Sequence, residues 1–152
     1  MEMVSLNYAT TFVSLLTNGV VSVAVNDTST LLLSMIKTVV NDYVDFKNTI
    51  EKIDLHTKLN VIENFMNIIP KQYENIKCVS TSLNSLHEIV VKLHDELGHI
   101  NNIMEEHNLK YFSYWRTPVY QTELDNIVKY KLILDDRFET LLKLINTINF
   151  LK

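Results

Sequence analysis

The sequence predicts an all-α fold: an elongated antiparallel helical bundle of four helices, or five if one long segment breaks, with heptad-type packing. Three observations predict it. First, Ile76, Val79, Leu83, Leu86, Val90, Leu93, Leu97, Ile100 and Met104 follow one another in an unbroken 3-4-3-4 rhythm. A helix turns once per 3.6 residues, so this spacing lays them along one stripe, roughly 40 Å long at about 1.5 Å per residue. Such a helix must pack lengthwise against other long helices. Second, the chain holds only two glycines and two prolines in 152 residues, where about seven and five per cent are usual. Sheets joined by tight turns need more of both. Third, shorter stripes of the same period recur on either side of the first. A chain of this length reads as a single domain, residues 1–152, with enough core to fold without a disulfide or a metal.

The first element is predicted at 4–25, where Leu6, Ala9, Val13, Leu16, Val20 and Val23 keep the rhythm. The β-branched run 20–25 would also suit a strand. Asn26, Asp27, Thr28, Ser29 and Thr30 then form a cluster of turn and N-cap residues, which predicts a break. The second element is predicted at 29–69. Leu32, Ile36, Val39, Tyr43, Phe46, Ile50 and Ile53 form one stripe, and Leu55, Leu59, Ile62, Met66 and Ile69 form another in a new phase. The jump marks a break or a change of winding near Asp54, which could also cap a fresh helix.

Pro70 ends that element and can open the next, predicted at 71–109. With Ile76 at position a of the heptad, Ser80, His87, His94 and Asn101 fall at e, and Ile89 and Ile103 at g. Isoleucines at g broaden the stripe, which favours a bundle over a two-stranded zipper. His107 continues the rhythm past Met104, at the frayed edge of the bundle. After a connection at 110–119, the last element is predicted at 119–151 through Leu124, Ile127, Leu134, Phe138, Leu141, Ile145 and Ile148. Lys131 takes one core position, its stem along the core and its ammonium toward solvent.

Composition narrows the function. The net charge is −4, with acidic and basic residues interspersed, so no electrostatic footprint for nucleic acid is expected. Cys78 is the only cysteine, which suits an intracellular, reducing compartment, cytoplasm or nucleus, and reads as a partly packed thiol. No signal peptide is expected, since the chain opens Met1-Glu2 without a positive leader. Residues 3–25 carry no charge, so membrane contact through them is one alternative. Their polar interruptions, from Ser5 to Ser22, argue against a span.

Chemistry-bearing motifs are weak. His94 and His99 flank Asp95 and Glu96, but a zinc-protease helix needs two histidines four apart with the Glu between. Glu96 and His99 supply half of a di-iron pattern, and no second Glu-x-x-His exists to complete it. A ligand- or metal-binding bundle using His87, His94, His99 and Glu96 is therefore a second alternative. No catalytic residue, metal ligand set or cofactor is predicted.

The strongest local anomaly is the run 111–120. Tyr111, Phe112, Tyr114, Trp115, Arg116 and Tyr120 crowd into it around Pro118. Tyr, Trp and Arg are the residues enriched at binding hot spots. They are the predicted partner-binding residues; the same rings could instead plug the end of the core. The functional expectation is a non-enzymatic structural or protein-interaction bundle, an assembly subunit or adaptor, with a protein partner or another copy of itself.

Overall fold

The computed structural model describes residues 21–40, 43–110 and 113–151. Among the described residues the regular elements are helical throughout. They are α1 (Val21–Val40), α2 (Val44–Lys52), α3 (Leu55–Ile68), α4 (Lys77–Asn108) and α5 (Gln121–Phe150), with 3-10 turns at Lys71–Asn75 and Ser113–Trp115. The all-α bundle is the predicted fold class. Most of the helix predicted at 4–25 lies outside the described residues.

The break predicted at residues 26–30 does not occur, because α1 runs straight through them. Thr28 and Thr30 turn their hydroxyls back onto the carbonyls of Ala24 and Asn26, at 2.8 and 3.0 Å. That geometry satisfies the side chains without ending the helix. Ser29 is fully buried and occupies a core position in the series Val21, Val25, Ser29, Leu32, Ile36 and Val39. The stripe therefore passes through a serine small enough to pack.

The second predicted element is divided twice. One division follows Val40, and Tyr43 leads into α2 in an extended conformation. The other falls where the phase of the stripe jumps. Asp54 there adopts the left-handed conformation, φ 52°, and makes no side-chain cap. Its N–H reaches the Glu51 carbonyl at 3.1 Å. Asp54 thus terminates α2 as a left-handed closing residue, a role Asp fills better than most side chains.

The helix predicted at 71–109 starts later. Ile69 and Pro70 are extended, the 3-10 turn follows, and Ile76 is extended again before α4. Ile76 is thus half-buried and outside the helix. From Val79 to Met104 the predicted stripe is buried throughout, joined by Ile89. At 32 residues, α4 is about 48 Å long.

Side-chain contacts set the directions. Val21 lies by Glu74 and Thr28 by His87, so α1 and α4 run parallel. Asn126 meets Glu96, Arg137 meets Ser85, and Asn149 meets Tyr73, so α5 runs antiparallel to α4. Thr30 bonds Glu63 and Ile36 shares a cleft with Thr57, so α3 runs against α1. The central α4 packs on α1 and α5, α1 packs on α3, and α3 meets α5 more lightly. Phe65 against Phe138, edge-on at 5.5 Å, holds that last seam. Lys131 is half-buried as predicted. Its ammonium does not end in open solvent but pairs with Asp135 at 2.6 Å, and Lys58 shares that carboxylate at 3.1 Å.

Candidate protein-interaction site

The connection between α4 and α5 divides the predicted partner-binding residues into two groups. Tyr120 is 8% exposed. It stands four residues before Leu124, and the Leu124 N–H bonds its carbonyl at 3.0 Å. Its ring meets Tyr43 and Phe46 edge-on, with centroids 6.3 and 6.4 Å away. Burial, then the Asp45 carboxylate and Tyr43, raise its phenol pKa. Tyr120 is therefore the plug at this end of the core and belongs to the packing, not to a free surface.

Tyr114, Trp115 and Arg116 are different. The two rings are 77% and 78% exposed, tilted against each other with centroids 5.5 Å apart. Arg116 is exposed beside them. Val119, Leu109 and Val44 add exposed apolar surface in the same part of the chain and across the α1–α2 break. The Tyr43 hydroxyl bonds the Asn108 side chain at 3.2 Å, which ties that break to the end of α4. An open groove of about 430 Å³ lies here, lined by Tyr43, His107 and Asn108 together with Tyr114, Arg116, Thr117 and Pro118. Both ring nitrogens of His107 are shielded from solvent and lack a hydrogen-bond partner among the described residues. Tyr111 and Phe112, also predicted here, lie outside the described residues.

The histidine cluster of α4 does not converge. His87 is buried, 2% exposed, and faces Thr28 of α1 at 3.2 Å. Burial lowers its pKa to about 4, against a smaller upward pull from Glu88. It is a packing histidine at the α1–α4 interface. His94 lies 3.5 Å from Asp95, and His99 lies 3.8 Å from Glu96, which also accepts from Asn126 at 3.1 Å. Among the described residues no group of three His, Cys, Asp or Glu stands ready to hold a metal ion. Cys78 is exposed, not partly packed as predicted. Among the described residues no helix is long and apolar enough to cross a membrane. Residues 1–20, most of the segment predicted as a membrane contact, lie outside them.

The molecule is thus an all-α bundle with an exposed aromatic corner, and comparison with known proteins adds one relative. The chain is similar to the uncharacterized protein L717 of Acanthamoeba polyphaga mimivirus, 24% identical over 86% of this chain and 79% of the relative. No family model matches, and no solved structure does.

Proposed function

We propose that the chain is a non-enzymatic helical bundle that works by association with a protein, using the Tyr114–Trp115–Arg116 corner as its contact surface. One observation carries this reading. Within a single connection Tyr120 is withdrawn into the core, while Tyr114 and Trp115 remain more than three-quarters exposed beside an arginine. Water-exposed aromatic rings cost free energy that burial against a partner recovers. Pro118 restricts the connection, so less entropy is lost when a partner docks. The lone exposed thiol of Cys78 suits a reducing compartment.

Site-specific photocrosslinking tests the reading. A photoreactive residue replaces Trp115, or, as a control, the exposed Lys143, in cells that produce the chain. The expected result is a discrete adduct from position 115, absent from position 143 and lost when Tyr114→Ser is added. The same diffuse set of products from both positions would overturn it.

A further inference from the structure

The bundle is closed unevenly. Among the described residues α1 and α5 pack closely on α4, and α3 packs on α1, but α3 meets α5 lightly. Phe65 and Phe138 touch across that seam. Val61 and Ile68 lie one turn to either side of Phe65 on α3, and Leu142 lies one turn beyond Phe138 on α5. Residues three or four apart share a helix face, so these three flank the seam, and all three are exposed. Phe150 and Leu151 add apolar surface at the end of α5; with Ile68 they are three-quarters or more exposed. Clustered exposed apolar side chains mark a contact site.

The 3-10 turn Lys71–Asn75 gathers this end of the molecule. It follows Ile68 and Ile69 closely, and its Tyr73 hydroxyl bonds the Asn149 side chain beside Phe150. Its Glu74 carboxylate accepts from the Val21 N–H at 3.0 Å and from the Ser22 hydroxyl. The chain therefore enters α1 at the end where Ile68, Phe150 and Leu151 are exposed. A carboxylate on the Val21 N–H is the arrangement of a helix start, where N–H groups lack a carbonyl from a preceding turn. The chain can thus change direction before Val21, where Gly19 suits a turn.

The sequence before Val21 has the chemistry that this surface needs. Residues 4–20 lie outside the described structure, and no charge occurs between Met3 and Asn26. Leu6, Ala9, Val13, Leu16 and Val20 fall in helical rhythm. As a helix the segment is about 25 Å long, against about 18 Å along α5 from Phe138 to Phe150. We propose that residues 4–20 fold back over the α3–α5 seam and cover Val61, Ile68, Leu142 and Phe150 with that stripe. The tether favours this occupant over a second copy of the chain, because a short connection presents it at an effective concentration of roughly millimolar order. The inference does not depend on the association reading, since this end of the bundle lies opposite the Tyr114–Trp115 corner.

A photoreactive residue in place of Leu142 tests it in the full chain, with isotopically light and heavy chains mixed before irradiation. The expected result is an adduct within one chain that joins position 142 to a residue between 6 and 16. A photoreactive residue in place of the exposed Asp136, on another face of α5, should give none. Val13→Asp combined with Leu16→Asp should reduce the adduct about tenfold or more, because it sets charge against an apolar seam. The same variant should exchange its amide hydrogens faster in 61–68 and 142–150. Circular dichroism confirms that its helices persist.

Adducts that join light to heavy chains would give the seam to a second copy and overturn the proposal. Lipid adducts formed with neutral phosphatidylcholine vesicles, in place of the internal one, would give residues 4–20 to a membrane and overturn it too. Adducts confined to α3, or an internal adduct undiminished by the double substitution, would do the same. The crosslink from position 115 is read separately, so either proposal can fail alone.

Discussion

The stripe of α4 and the connection that follows it use overlapping kinds of residue and meet opposite fates. Leu83, Leu86, Val90, Leu93, Leu97 and Ile100 have no measurable exposure, whereas Trp115 and Val119 are 78% and 83% exposed. Hydrophobicity alone does not decide burial; periodicity does. In α4 each apolar residue returns to the same face after three or four positions, so two neighbouring helices can cover the whole stripe. Residues 113–119 have no such period and are held apart from helix by Pro118. Among the described aromatic residues of the connection, only Tyr120 is in step with α5, and only Tyr120 is withdrawn. The stripe therefore carries stability, and the corner stays exposed.

The largest expected effect lies in the stripe. Leu93→Ala should lower the unfolding free energy by about 2–5 kcal/mol, the usual cost of a buried leucine. Urea denaturation measures it, and a loss below about 1 kcal/mol would mean that the stripe is not close-packed. Tyr120→Ala should cost about 3 kcal/mol by the same measurement, because its ring fills the end of the core. If the loss were negligible, Tyr120 would belong with its exposed neighbours.

His87 sharpens the contrast from inside α4. Its native pKa of about 4 lies below the ordinary 6.5, so the unfolded chain binds the proton more readily than the folded one. Stability is then full above pH 6.5 and falls as the pH drops toward 4. Between pH 7.5 and 4.5 this group should remove on the order of 2 kcal/mol. His87→Gln should show a correspondingly smaller loss over the same interval. Equal losses in the two proteins would put the acid sensitivity elsewhere. The smallest effect belongs to the corner: Tyr114→Ser and Trp115→Ser should each change stability by no more than about 0.5 kcal/mol.

Long helices were legible because their apolar period outlasts local irregularities. The α4 stripe, the α5 core series and the break at Asp54 all follow from spacing. Residues 26–30 are misleading because a run of capping residues lies over the apolar period that continues through it. Ser29 lies in core register between Val25 and Leu32, and that was the available signal. The division after Val40 is hidden for the opposite reason, since the apolar rhythm of Val39, Tyr43 and Phe46 continues across it.

The aromatic run was legible as an anomaly, but its partition was not. Which rings face out depends on where α5 begins. Tyr120 could have been assigned to the core, since it extends the series of Leu124, Ile127, Leu134 and Phe138 back by one step. The groove itself joins Tyr43 to His107, Asn108 and the segment 114–118, a convergence set by how α1 and α4 lie side by side. No local pattern encodes that meeting.

Trp115 is the only tryptophan in the chain, so its fluorescence reports on the corner without a label. The most direct test follows its emission and iodide quenching, with light scattering on the same samples to identify the monomer. In the folded monomer the account predicts the emission of a solvated indole, open to iodide and almost unchanged when urea unfolds the chain. A blue-shifted, protected indole in the monomer, released only on unfolding, would make Trp115 a second plug of the core and contradict its proposed role as a contact surface.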